Sequence, residues 1–129
     1  MFLLDGVLRW DESSIVCSAS NHRDAGHPMA AEGTLGAACA VEYASQAMAV
    51  HGALSQHALA PARAGFLVAL REVTFAGARL DTVACDLLIE AFRVMGDESR
   101  VIYQFRVSAA SEPVAEGRAT VVLDVEPNR

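Results

Sequence analysis

The sequence predicts an α+β fold in which one antiparallel β-sheet wraps around a single long central helix. Three observations lead there: one apolar stretch at residues 35–54, four later runs rich in β-branched and aromatic residues, and turn-forming residues between those runs. An α+β sandwich of another topology is the competing arrangement.

Residues 35–54, LGAACAVEYASQAMAVHGAL, are dense in Ala and Met and free of Pro, and the stretch runs into a region punctuated by Gly52, Pro61 and Gly65. That composition favours helix. Glu42, Gln46 and His51 interrupt the stretch, and a carboxylate at the centre of a membrane span would cost about 2.5 to 3.5 kcal/mol, so a helix packed inside the protein is expected. Apolar residues on nearly every side imply that the sheet covers most of its circumference.

Strands are expected at residues 67–75, 83–95, 100–109 and 119–125. In the third run Val101, Tyr103, Phe105 and Val107 share one face, while Gln104 and Arg106 share the other. Gly96, Asp97 and Ser99, then Ser111 and Pro113, supply turns, which predicts consecutive antiparallel pairing. Residues 3–10 and 14–18 read as an N-terminal hairpin or edge strand. A curled antiparallel sheet around one apolar helix is the hot-dog arrangement.

At 129 residues the chain fits one domain, 1–129, with one site. Its formal net charge is -6 and Lys is absent, so all ten basic residues are Arg and a nucleic-acid footprint is not expected. Cys17, Cys39 and Cys85 share no close spacing and read as buried thiols of a reducing compartment. The start, MFLLDGVLRWDE, lacks the basic flank and the small-residue cleavage site of a signal peptide, and a cytoplasmic location is expected. Gly33 and Gly36 are too weak a pattern for a nucleotide loop, no internal repeat is visible, and Ser45 lies outside any Gly-x-Ser-x-Gly elbow. The four His and three Cys show no metal-ligand spacing, so neither metal nor cofactor is expected.

Glu42 is the residue most indicative of chemistry. It lies about two turns inside the apolar stretch, where a buried carboxyl has its pKa raised and can exchange protons near neutrality. Gln46 falls one turn later on the same face. His27, on a turn-rich loop ahead of the helix, is the candidate base, with His22 as its competitor. His51 and His57 are expected to cap the helix end. Backbone N–H groups near the helix start, around Leu35, Gly36, Ala37 and Ala38, could polarise a thioester oxygen, and the small residues there with Gly33 would permit close approach.

Glu42-Tyr43-Ala44-Ser45-Gln46-Ala47 resembles the Glu-Ala-x-Ala-Gln-Ala signature on the central helix of 3-hydroxyacyl-[acyl-carrier-protein] dehydratases, and Phe2-Leu3-Leu4-Asp5-Gly6-Val7 is similar to their early Met-Leu-Leu-Val-Asp-Arg-Val strand. Residues 41–49 more closely resemble the Val/Ile-Glu-Tyr-x-x-Gln-Ala-x-Ala helix of the dehydratase-like hot-dog branch associated with aryl-polyene biosynthesis. The resemblance implies a lyase acting on an acyl thioester carried by phosphopantetheine of an acyl carrier protein or by coenzyme A. It also implies a site shared by two subunits, with Glu42 as the helix carboxylate and His27 as the loop histidine. The loop departs from the family pattern: His27-Pro28-Met29-Ala30-Ala31-Glu32-Gly33 lacks the His-x-x-x-Gly-x-Pro-x-x-Pro-Gly form.

Three functions follow as expectations. A dehydratase would use His27 to remove the α-proton and Glu42 to protonate the leaving hydroxyl. A hot-dog thioesterase would use Glu42 as base or nucleophile. A non-catalytic subunit would bind an acyl chain or support an active partner. A homodimer, or a heterodimer with another hot-dog subunit, is expected in each case, with no membrane span.

Overall fold

The computed structural model describes residues 3–24, 26–32, 34–55, 65–77, 79–97 and 99–123. Strands β1 (Gly6–Asp11) and β2 (Ser14–Ala19) form a hairpin, and helix α1 (Ala40–Leu54) follows a 3-10 turn at Ala37–Cys39. Strands β3 (Gly65–Phe75), β4 (Leu87–Gly96), β5 (Arg100–Ala109) and β6 (Glu112–Leu123) complete one six-stranded antiparallel sheet in the order β1-β2-β4-β5-β6-β3. The predicted consecutive pairing holds for β1–β2 and for β4–β5–β6. β3 differs: it crosses to the far edge, beside β6, while α1 packs chiefly on β2, β4 and β5.

Period-two alternation explains the core. Val101, Tyr103, Phe105 and Val107 of β5 point inward, as do Leu87, Ile89 and Ala91 of β4 and Ile15, Cys17 and Ala19 of β2. Against them α1 buries Ala40, Tyr43, Ala44, Ala47, Met48 and His51. The alanines let the helix axis approach the sheet closely, and each large side chain enclosed, such as Phe105 or Ile89, contributes about 1.5 to 3 kcal/mol. The wrapping is narrower than expected. Glu42 and Ala49 are exposed, and Val41, Ser45, Gln46 and Val50 are half-buried, so the sheet covers one side of the helix.

Two local devices shape the sheet. Ala110 (φ 51) and Ser111 (φ 69) both take the left-handed conformation and close the β5–β6 hairpin in two residues, the geometry whose twist matches the flanking strands. In β3 the register with β6 shifts between Arg71 and Thr74, with Glu72 at φ 56, and this bulge presses Val73 onto Gly117. A Cβ at Gly117 would stand 2.7 Å from Val73 Cγ2 and 3.1 Å from Phe105 Cζ, which leaves room for glycine alone.

Several boundaries differ from expectation. The α-helix begins at Ala40 rather than Leu35, because the Leu35 N–H is taken by Asp81 Oδ1 at 2.9 Å, and Leu35 O accepts from Leu80 N–H at 2.7 Å. β4 begins at Leu87 rather than Val83, and the segment ahead of it is held by side chains instead of a strand: Val83 O faces His22 Nε2, and Ala84 O and Asp86 Oδ1 accept from the Arg23 guanidinium. β6 begins at Glu112, its Pro113 sitting at an irregularity in the ladder where no amide is needed. Cys17 is buried as expected, but Cys39 is half-buried and Cys85 exposed. Among the described residues no helix is long and apolar enough to cross a membrane.

Candidate active site

A cavity of about 600 Å³ opens between the start of α1 and the edge strand β3. Ala38, Cys39, Val41 and Glu42 form its helical wall, Leu70, Val73 and Phe75 form the strand wall, and Met29 closes one side. Its volume falls in the range of small-molecule sites, and Glu42 is the one carboxyl side chain on an otherwise apolar lining. The bulge at Glu72 creates the strand wall, because the register shift turns Val73 toward the helix between Leu70 and Phe75.

Glu42 is exposed in the single chain, which corrects the expectation of a buried carboxyl. The helix turns Tyr43, Ala44 and Ala47 toward the sheet, and Glu42, about 100° round the helix from Tyr43, faces the open side. Cys39 stands one turn before it, and its thiol pKa is raised, first by burial and then by the Glu42 charge.

His27 is 4% exposed and lies off the cavity. Its Nδ1 accepts the Met29 N–H at 3.0 Å, which places the ring proton of the neutral imidazole on Nε2. Nε2–H then donates to the Tyr43 hydroxyl at 3.1 Å, and that hydroxyl donates to Asn21 Oδ1 at 2.5 Å. Both imidazole nitrogens are therefore engaged within the chain. The bond from Met29 shapes the loop that brings the Met29 side chain to the cavity wall. Burial pushes the Tyr43 hydroxyl up to about 12, so it remains a donor.

The other described histidines are interior. His22 is fully buried, donates through Nε2–H to Val83 O at 3.0 Å, and its Nδ1 has no hydrogen-bond partner. His51 does not cap the helix end as expected. It donates to Asp11 O at 2.8 Å and accepts from the Tyr103 hydroxyl at 2.7 Å, pinning α1 to the β1–β2 hairpin and to β5. Burial lowers the pKa of both imidazoles. His57 and Gly33 lie outside the described residues.

Of the residues expected to bind substrate, Ala38 lines the cavity. Leu35 and Ala37 are buried away from it, and Gly36 forms an isolated bridge with Arg79. Gln46 Oε1 accepts the Leu3 N–H at 2.7 Å, fastening the chain start to the helix. The expected row of free amides at residues 35–38 is thus interrupted at Leu35, whose N–H serves Asp81. Sequence reasoning did not single out Met29, Cys39, Val41, Leu70, Val73 or Phe75. Cys39 and Glu42 are three apart on one helix face, a signal that was available. No group of His, Cys, Asp and Glu suited to a metal occurs among the described residues.

An antiparallel sheet packed on one helix, with a carboxyl side chain beside a cavity at the helix start, defines a protein of the hot-dog fold. The model of the ApeP-like family, described as ApeP dehydratase, matches residues 1–128, and the chain belongs to that family. Its fold is similar to that of the dehydratase heterocomplex ApeI:P from Xenorhabdus doucetiae, at TM-score 0.79 and 22% identity over 96% of this chain and 84% of that one. A mutant thioesterase from Pseudomonas aeruginosa matches at TM-score 0.67 and 13% identity, over 91% of this chain and 78% of that one. Zebra fish thioesterase superfamily member 2 matches at TM-score 0.67 and 18% identity, over 92% and 80%. No curated protein matches.

Proposed function

We propose that this chain is a subunit of a 3-hydroxyacyl thioester dehydratase, taking its substrate on the phosphopantetheine arm of an acyl carrier protein and completing its site with a second hot-dog subunit. The observation that carries the reading is the Glu42 carboxyl on the wall of an apolar cavity that is open on the side the sheet leaves uncovered. Membership of a dehydratase family and the two-component neighbour support it.

In this reaction a base removes the proton at C2, Glu42 protonates the hydroxyl at C3, the C3–O bond breaks, and the enoyl thioester leaves with one water. The acyl chain lies along Val41, Leu70, Val73 and Phe75. Covering by a partner would exclude water and strengthen the carboxyl's interaction with the departing hydroxyl. Both nitrogens of His27 are engaged, so we assign the base to the second subunit and give His27 the role of a positioning residue that holds the Met29 loop.

The test is a two-channel assay on a 3-hydroxyacyl thioester, following enoyl absorbance and free thiol, with this chain alone and with a co-expressed hot-dog subunit. Enoyl product that requires both chains is expected. Thiol release without enoyl product would replace the reading with a thioesterase, and silence in both channels with both chains present would overturn it.

A further inference from the structure

The free edge of the sheet carries an unbalanced charge. Cross-strand partners share a face, so Ser14, Phe92, Gln104, Arg118 and Arg71 form one continuous row over β2, β4, β5, β6 and β3 on the side away from the helix. The row ends in two guanidinium groups directly opposite each other, a like-charge placement that is unfavourable. Glu72 approaches Arg118 at 3.9 Å and offsets one charge, while Arg71 has no ion pair among the described residues. Beyond Arg71 the ladder is open, because β3 has a neighbour on one side alone. An open edge of eleven residues is a template for pairing with another strand.

Pairing with a second copy meets this charge. In an antiparallel self-pair centred on Gly65–Phe75, Leu70 opposes itself and the two Arg71 side chains stand on one face in diagonal positions about 7 to 8 Å apart, each backed by Arg118. Four guanidinium groups then share one patch with two Glu72 carboxylates. We infer that the β3 edge selects, over a second copy of this chain, a hot-dog subunit whose own edge strand presents a carboxylate to Arg71. The inference rests on the proposed two-subunit reading and adds the partner's chemistry to it. Complementary charge here fixes the choice and register of the partner, while apolar cover of the cavity supplies most of the affinity.

The full chain tests this without a foreign partner. Sedimentation equilibrium at low salt is run on the wild type, on Arg71→Glu/Arg118→Glu, and on their equimolar mixture, with circular dichroism confirming each fold. The mixture is expected to pair with a Kd about tenfold or more below that of the wild type with itself, and the gap is expected to close at ~1 M salt, where screening acts within about 3 Å. Arg71→Gln/Arg118→Gln, which removes the repulsion without adding attraction, is expected to self-pair more tightly than the wild type. Wild-type self-pairing as tight as the mixture and indifferent to salt would overturn the inference, as would absence of pairing in every sample. None of these readings involves turnover, so failure here is distinct from failure of the dehydratase assay.

Discussion

The Nε2–H of His27 donates to the Tyr43 hydroxyl at 3.1 Å, joining the loop before the helix to the helix's buried face. Because the same ring accepts the Met29 amide, the pair acts as a fastening for the cavity wall.

Removing the Tyr43 hydroxyl should therefore cost stability first. Tyr43→Phe leaves the buried His27 donor unmatched and is expected to destabilise the chain by about 1 to 3 kcal/mol, read as a lower midpoint in urea. A midpoint equal to that of the wild type would contradict the fastening.

Glu42→Gln should separate activity from folding. The side chain is exposed in the single chain, so thermal unfolding of the variant should match the wild type, while enoyl formation in the two-subunit assay should fall by about 100-fold or more. His27→Gln, which keeps an amide near the Tyr43 hydroxyl, should retain most activity if His27 positions and does not abstract the proton. A loss as deep as that of Glu42→Gln in a folded, paired protein would assign His27 as the base.

Stability should fall on mild acidification. Burial holds the folded pKa of His22 and His51 below the ordinary value, so the unfolded chain binds protons that the folded chain refuses. Their contribution is complete above the unfolded histidine pKa, near 6.5, and is lost as pH falls from there toward the folded values. Urea midpoints between about pH 7.5 and 5 should decline, and His51→Gln should flatten the decline. The carboxylates belong to a separate, lower window: Arg79 holds Asp81 down to about 2, so that contribution persists until pH falls below the unfolded carboxylate range.

Gly117→Ala should couple the sheet to the cavity. The added methyl meets Val73 at 2.7 Å, and overpacking of this kind costs about 1 to 3 kcal/mol. Because Val73 lines the cavity, loss of thermal stability should come with weaker binding of acyl thioesters, measured by titration calorimetry.

The helix, the hairpins and the Glu42 motif were legible because each is written in local periodicity. The placement of β3 was not, since the sequence from 65 to 75 is equally suited to a central or an edge position and its partners lie 40 (Phe75 to Ala115) to 58 (Gly65 to Leu123) residues further along the chain. The expected burial of Glu42 is not found, and His27, expected as a base facing it, is turned inward. Spacing tells which helix residues share a side, and here Tyr43 claimed the sheet while Glu42 was left facing outward. The inward turn of His27 depends on Tyr43 and on a backbone amide two residues ahead, and no residue pattern announces either bond. The strand wall was hidden for a related reason: the bulge at Glu72 breaks the alternation that would have predicted Leu70, Val73 and Phe75 together.

The knot of Leu35, Leu80 and Asp81 has a mechanical meaning. It ties the chain just before the helix to the chain just after the edge strand, so both jaws of the cleft are clamped at the same end. Splaying the outer strand away from the helix at this end would first have to break the Leu35 bonds to Leu80 and Asp81.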